Sequence, residues 1–377
     1  MINFNEAPFL GNELEYITDA INLKHISGDG KYTKLCHQLL EEHTGTQKAL
    51  LTNSGTAALE MSAMLLDIED GDEIICPSFT FVTTASSFAL RGAKIRFIDI
   101  RNDTLNMDET LLEENISSKT KAIIPVHYAG IPCAMNAIID IANHFKIPVI
   151  EDAAQAVGSF YHAQPCGSIG TMGCFSFHET KNISSGEGGA LLVNDSSYIE
   201  NAEIIREKGT NRSKFFRGQI DKYTWVRLGS SYLPSDMIAA YLYPQLQNIN
   251  SINQKRIEIW NYYDQAFKSL EFKGLIQCPF VPEYAKHNAH MYYLRFANLA
   301  TRSAFIAYMK SHDISCVFHY IPLHSSPAGQ KYGSASDNMH VTNHVSDTLV
   351  RLPMYYGMSL SDQDKIIDHV IKFVRSL

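Results

Sequence analysis

Two kinds of apolar pattern alternate along the chain. From residue 46 the strand-like run QKALLT gives way to the helix-like GTAALEMSAMLLD, and then come EIICP, TTASSFALRG and KIRFIDI. After a loop, the helix MDETLLEENI precedes KAIIPVHY, the helix MNAIIDIANHF and the strand IPVIED; FSFHETKN and GALLVN read as further strands. Short, continuously apolar runs alternating with helices of about ten residues or more predict βαβ units, hence a largely parallel sheet covered on both faces. The fold class is α/β. The stretch SDMIAAYLYPQLQNINSINQKRIEIWNYYDQAF predicts one long helix starting after Ser235 or Asp236. Beyond about residue 270, strand-like HMYYLRF and ISCVFHYIPL mix with helix-like RSAFIAYMKSH and SDQDKIIDHVIKFVRSL, as in a small α+β domain. The expected division is a large domain over 1–245, then a bridging helix and C-terminal domain over 246–377.

Length supports that division, because 377 residues exceed the size of about 250–300 at which one core stops growing. The net charge of −8 argues against nucleic acid or an anionic membrane as the main partner, while leaving room for a local anion site. The 7 cysteines are scattered, odd in number and never spaced C-x-x-C, so neither a disulfide framework nor a bound metal is expected. MINFNEAPFLGNELEY lacks a basic start followed by an apolar core, and no run approaches the roughly 18 apolar residues of a membrane span. A cytoplasmic protein is expected.

In a parallel sheet, ligands gather at the carboxyl ends of strands. Four segments put chemistry there. In TNSGTAALE, the N–H groups of Gly55 and Thr56 open a helix and form a seat for phosphate, unless Asn53 or Ser54 merely caps that helix. VIEDAAQ delivers Asp152 and, three residues later, Gln155, a charged and a neutral hydrogen-bonding group for a ring; a carboxylate there is also a common cap. CFSFHETKN offers Ser176 as a phosphate ligand and Lys181 as an amine nucleophile, useful only where its surroundings keep it unprotonated. Phe81, in CPSFTFVTT, suits stacking on an aromatic ligand or simply the core. Phosphate seat, carboxylate, aromatic platform and amine together match pyridoxal 5'-phosphate group by group.

The chain also resembles the fold-type-I, DegT-type sugar-nucleotide aminotransferases. NSGTAAL, PSFTFVTT, VHYAG, EDAAQAVG, FSFHETKN, GEGGA, IREKGTNR and YIPLH occur in family order over nearly the whole length. FHETKN, REKGTNRSKFFRGQIDKYTW and GSSYL resemble the WecE-type branch, which aminates TDP-4-oxo-6-deoxyglucose at C4. The resemblance implies a seven-stranded-type, mostly parallel sheet and a homodimer with shared sites. It implies L-glutamate as donor, a TDP-sugar as acceptor, and cofactor that cycles between pyridoxal and pyridoxamine phosphate. It makes Lys181 the imine-forming lysine, Asp152 the partner of the pyridinium nitrogen and Gln155 a ligand of the ring hydroxyl, with phosphate on Gly55, Thr56 and Ser176 and ring stacking on Phe81. Many relatives read GYNYR where this chain has GSSYL, so Ser231 replaces the asparagine that reaches a neighbouring subunit's phosphate.

For the sugar nucleotide, the basic stretch REKGTNRSKFFRG offers Arg212 and Lys214, against the reading of a solvated charged loop. His178, His319, Tyr320 and His324 are further candidates, each equally at home as a core or rim residue. Related dehydratases carry histidine at the lysine position, which Lys181 argues against. Amination at C3 rather than C4 stays open, as does the gluco epimer of the product. A non-catalytic, cofactor-binding regulator usually carries a DNA-binding module, and no basic tail remains for one.

Overall fold

The computed structural model describes residues 1–336 and 338–377. The alternation becomes strands β1 (Lys48–Thr52), β2 (Glu73–Pro77), β3 (Lys94–Ile98), β4 (Thr120–Ile123), β5 (Ile150–Asp152), β6 (Met172–Ser176) and β7 (Gly189–Val193). The C-terminal part adds β8 (Tyr293–Arg295), β9 (Gly333–Ala335) and β10 (Leu349–Arg351). Hydrogen bonding gives the orders β1-β7-β6-β5 and β9-β3-β2-β4. Parallel bridges Ile123–Val149 and Val126–Asp152 then join β4 to β5, so the strands form one continuous sheet. Apolar residues fill both of its faces, which is why its strands read as unbroken hydrophobic runs.

Within this sheet, among the described residues, only β7 runs antiparallel to both neighbours, β1 and β6. Residues 177–188, between β6 and β7, contain no helix to carry the chain back across the sheet, so β7 can only return. Consequently the connection stays at the carboxyl edge of β6, the edge where ligands bind. Lys181 lies within it.

Four predicted elements differ. FSFHETKN gives only Phe175 and Ser176 to β6, and its remaining residues lie in the connection to β7. MDETLLEENI forms a short turn, Glu109–Leu111, and one helical turn, Leu112–Asn115, because buried Asn115 uses its side chain to donate to Leu111 O at 2.8 Å and accept from Arg96. The long helix is two, Asp236–Gln247 and Ile249–Phe272. Pro244 lies within the first, and the Asn248 side chain donates to the carbonyl of Pro244 at 2.9 Å while its own carbonyl starts the second. ISCVFHYIPL is no regular strand; single bridges at Ile314 and Val317 hold it, and Tyr320 turns at φ +27.

A separate apolar core gathers residues between Ile259 and Val374 together with Ile2 from the amino terminus. Residues of the C-terminal part also return to the main sheet: β9 pairs parallel with β3, and Leu323 and Met339 join the core beneath it. Among the described residues, no helix is long and apolar enough to cross a membrane.

Candidate active site

A cavity of about 800 Å³ lies at the carboxyl ends of β5 and β6, roofed by residues from the C-terminal part and the amino terminus. Gly55, Thr56, Phe81, Asp152, Gln155, Ser176, His178, Lys181, His319 and Tyr320 all line it. Residues far apart in sequence, from Phe4 to Met354, are thereby brought to one cavity wall.

The helix Gly55–Leu65 starts at the cavity. Ser54 caps it by accepting from Ala57 N at 3.0 Å, so the capping reading and the anion-seat reading both hold. The first-turn N–H groups of Gly55 and Thr56 have no intrahelical partners and carry the positive end of the helix dipole. A Cβ on Gly55 would come within 2.9 Å of Ser176 Cβ, and one on Gly189 within 2.4 Å of the Ser54 carbonyl. Two glycines thus let the helix start press against β6 and β7, with Ser176 beside it.

Asp152 ends β5 and is buried. Its Oδ2 accepts from Thr84 Oγ1 at 2.6 Å and its Oδ1 from Ala154 N at 3.2 Å; Thr80 and Thr84 hydroxyls are 2.8 Å apart behind it. Its neighbour Glu151 points to the other face, where it takes N–H bonds from Gly167, Ile169 and Gly170 and lies 2.8 Å from His127. Alternation along one strand therefore separates a structural carboxylate from one that faces the cavity.

Lys181 sits half-buried on the β6–β7 connection, its backbone turned by a bond from Lys181 N to His178 O. Bonds from Phe177 N to Gly188 O and from Glu179 N to Gly186 O close the loop, and Gly186 supplies φ +80. Next to the lysine, Asn182 donates to Asn253 Oδ1 at 3.0 Å and to Asn288 O at 2.8 Å, tying the loop to the C-terminal part. Desolvation pulls the Lys181 amine from 10.5 to about 8; Asp152 opposes that fall and Arg351 adds to it. The amine is thus accessible in its neutral, nucleophilic form near neutral pH.

Gln155 is fixed at both ends, accepting from Ala129 N at 2.7 Å and donating to Tyr320 OH at 2.8 Å. Tyr320 stacks on His319 at 3.6 Å, whose Nδ1 lies 2.8 Å from the Tyr128 hydroxyl. Burial holds the His319 imidazole neutral, with Arg351 reinforcing the effect. Phe81 is 56 % exposed, which removes it from the core and leaves its face open to the cavity.

Four predicted residues lie elsewhere. Ser231 is exposed beside Asn53, whose side chain donates to its carbonyl at 3.4 Å. Lys214 pairs with Glu200 at 2.6 Å, and Arg212 lies over Phe216 at 4.8 Å. His324 Nδ1 is 2.7 Å from Ser78 Oγ. Conversely, Thr84, His290 and Arg351 border the site or its key carboxylate without having been singled out from the sequence. PSFTFVTT contains Thr84, so a signal existed there; His290 and Arg351 stand in ordinary strand-like text.

The donor set fits pyridoxal phosphate. Unpartnered N–H groups and a hydroxyl for a phosphate, a buried carboxylate for a ring nitrogen and a desolvated amine for an aldehyde share one cavity of suitable volume. Comparison with known proteins decides the family, since the DegT/DnrJ/EryC1/StrS aminotransferase model matches residues 10–371. The chain belongs to that family. It is similar to the UDP-4-amino-4-deoxy-L-arabinose–oxoglutarate aminotransferase of Shewanella sediminis, 31% identical over 374 residues, covering 96% of this chain and 95% of the relative. The spore coat polysaccharide biosynthesis protein SpsC of Bacillus subtilis is 32% identical, with 98% of this chain and 96% of SpsC covered. Among solved structures, Spr1654 of Streptococcus pneumoniae, assigned as a sugar aminotransferase, is 28% identical with a TM-score of 0.91 in its pyridoxamine-phosphate form, each chain covered at 100%. Its pyridoxal-phosphate form gives a TM-score of 0.90 at 28% identity, over 100% of this chain and 99% of the other. As a DegT-family member, this chain is a pyridoxal-phosphate-dependent sugar aminotransferase with an α/β fold.

Proposed function

We propose that the protein transfers the amino group of L-glutamate to C4 of TDP-4-oxo-6-deoxy-D-glucose, giving TDP-4-amino-4,6-dideoxy-D-galactose for surface polysaccharide synthesis in the cytoplasm. One observation carries the reaction type: a desolvated Lys181 and a buried, cavity-facing Asp152 share the cavity with the N–H groups of Gly55 and Thr56. When bound, pyridoxal phosphate supplies an aldehyde for imine exchange and a ring that takes up electrons released at the reacting carbon. Gly55, Thr56 and Ser176 hold its phosphate, Phe81 covers a ring face, and Gln155, oriented by Ala129 N and Tyr320, meets the ring hydroxyl. Asp152, kept in place by Thr84, retains the proton on the ring nitrogen. Lys181 takes the proton from the α-carbon of glutamate and later returns one to C4 of the sugar. His178, His319 and Tyr320 contact the sugar from the cavity wall.

A second copy of the chain completes the site in this reading. Phe216, Trp225 and Leu228 are 67%, 70% and 58% exposed on the segment that leads to Ser231, a concentration of apolar surface that suits a partner. Arg212, Lys214, Ser231 and His324, outside this chain's own cavity, then serve the partner's phosphate and sugar nucleotide. The choice of a TDP-4-oxo sugar is supported by the resemblance in FHETKN, the stretch 206–225 and GSSYL, while the 4-amino product and the glutamate donor are supported by a relative named for an oxoglutarate-coupled reaction of a UDP-linked 4-amino sugar. Incubation with pyridoxal phosphate, glutamate and a panel of TDP- and UDP-linked oxo sugars, with NMR of the product, tests it. A C4 axial amine on a TDP sugar is expected; a C3 amine, or turnover only with UDP sugars, contradicts it.

Gly55→Val provides a separate check on the phosphate seat. A branched side chain placed 2.9 Å from Ser176 Cβ pushes the helix start off β6, so the dissociation constant for pyridoxal phosphate is expected to rise roughly 10- to 100-fold, the value of one or two charge-assisted hydrogen bonds. Cofactor titration followed by absorbance reads this directly. An unchanged constant would place the phosphate elsewhere.

A further inference from the structure

Two histidines of the C-terminal part, His290 and His319, line the cavity with Lys181, and their surroundings fix which ring nitrogen of each carries the proton. His290 precedes β8. Its carbonyl and that of Ala289 accept from the buried Arg256 side chain at 2.7 and 3.0 Å, which holds this backbone against the helix Ile249–Phe272. The ring places Nδ1 at 3.0 Å from Asn182 Oδ1. The Asn182 amide nitrogen already donates to Asn253 Oδ1 and to the backbone carbonyl of Asn288, and a carbonyl can only accept, so this side chain cannot be turned round. Asn182 Oδ1 therefore accepts and His290 Nδ1 donates. Burial keeps the ring neutral, with the charges of Lys181, Arg256 and Arg351 adding to the effect, so Nε2 is left with a free lone pair. Asn182 is buried outside the cavity lining, and the ring edge left to the cavity is the one that carries Nε2. Among the described residues nothing donates to it.

His319 carries the opposite tautomer. The Tyr128 hydroxyl is buried, and its one hydrogen-bond partner among the described residues is His319 Nδ1 at 2.8 Å. A hydroxyl that did not donate there would bury its proton unpaired, so Nδ1 of the neutral His319 ring accepts and Nε2 carries the hydrogen. One wall of the cavity thus presents an acceptor, His290 Nε2, and a donor, His319 Nε2–H. The charge of Lys181 acts on both rings and that of His290 on His319, so the pair adjoins the reacting amine.

We propose that this pair reads the acceptor sugar: His319 donates to the oxo oxygen at the carbon to be aminated, and His290 accepts the hydroxyl on the adjacent ring carbon, an inference that rests on the oxo-sugar reading of the cavity. A ketone oxygen can only accept, and a hydroxyl next to it can donate. Donor beside acceptor on the wall therefore matches acceptor beside donor on the sugar. In a 4-oxo-6-deoxyhexose the carbons flanking C4 are C3, which bears a hydroxyl, and C5, which bears a methyl group, so the C3 hydroxyl falls to His290. Glutamate supplies no such partner, because its carboxylates cannot donate and its amino group is the one transferred. His290 thereby sets which sugars the site takes, since a sugar without the C3 hydroxyl leaves a buried acceptor unpaired.

Calorimetric titration of the cofactor-loaded protein with TDP-6-deoxy-D-glucose and with its 3-deoxy counterpart, neither of which can be aminated, gives the test. Wild type should bind the sugar that keeps its C3 hydroxyl roughly 10- to 100-fold more tightly. His290→Phe should cut that preference to less than about threefold, while the rate of the glutamate half-reaction moves less than about threefold. His290→Gln, which returns an acceptor oxygen, should recover part of the preference. Nitrogen-15 NMR of protein labelled at histidine reads the tautomers with no sugar bound; the His290 signals, identified by their loss in either variant, should show hydrogen on Nδ1 and a bare Nε2. Equal affinity for the two sugars in wild type overturns the assignment while leaving amination intact. So does a preference that survives in a His290→Phe protein of wild-type melting temperature, a loss confined to the glutamate half-reaction, or hydrogen on Nε2 of His290. Should the Phe variant not fold, the wild-type affinities and the NMR of wild type and the Gln variant decide alone. A preference for the C3 hydroxyl in a protein that transfers no amine would sustain the His290 contact while removing the proposed function.

Discussion

Lys181→Ala is expected to lower turnover about 10⁴-fold or more, the upper range for a group that carries a proton in the rate-determining step. The cavity explains why the loss is so large. Among the described residues no second lysine lines it, so no other side-chain amine of the chain is at hand to bond to the aldehyde or carry the proton. The loop should survive the change, because it is held by backbone bonds at Phe177, Glu179 and Ser185 and by the Asn182 side chain, none of which uses the Lys181 amine. Intact folding with the visible-edge absorbance of the bound aldehyde shifted and turnover gone is the expected pattern, and millimolar ethylamine should restore a small part of the rate. The intact lysine also sets a pH dependence. Its amine is protonated below about 8 and neutral above it, so the rate at which apoprotein takes up pyridoxal phosphate should rise with pH and level off past 8 rather than past 10.5. Stopped-flow uptake between pH 6.5 and 9.5 measures this. A mutant with wild-type turnover, or uptake still climbing steeply between pH 8.5 and 9.5, would remove the lysine from its assigned role.

Asp152→Ala ranks second. Removing a preorganised electrostatic group from a reaction centre costs about 10²–10³-fold in rate, and more of that loss should appear in kcat than in KM. Asp152→Asn sharpens the prediction. Asparagine keeps its one oxygen for Ala154 N and turns its NH2 toward Thr84 Oγ1, a hydroxyl that can accept as well as donate, so the local structure persists, yet it lacks the charge that keeps a ring nitrogen protonated. Both variants should therefore lose rate to a similar degree, whereas a purely structural Asp152 predicts that only the alanine form suffers. Single-turnover rates with glutamate distinguish the two cases.

Much of the arrangement was legible in sequence because the physics was local. Strands buried on both faces must be apolar throughout, and those runs located β1 to β5 and β7, while FSFHETKN met β6 only at Phe175 and Ser176. The residues that end β5 and β6, or start the helix after β1, face the cavity as a matter of strand direction, so Asp152, Ser176 and Gly55 could be placed without long-range information. Elements decided by side-chain competition were less readable. Asn115 and Asn248 each bond backbone carbonyls that a helix pattern alone would assign to the next turn, and one predicted helix shrank while another divided. Arg351, His290 and Phe4 were not singled out because their importance arises only when β10, the segment before β8 and the amino terminus fold over β5 and β6. Glycine roles also needed the fold: Gly186 makes a turn and Gly189 admits the helix start.

Borohydride reduction of the cofactor-loaded protein, followed by proteolysis and mass spectrometry, tests the central claim most directly. The reduced pyridoxyl group should be found on the peptide spanning residues 175–189, with fragment ions placing it on the ε-nitrogen of Lys181. A stable adduct on another lysine, or a bound cofactor that reduction leaves entirely unattached, would contradict it.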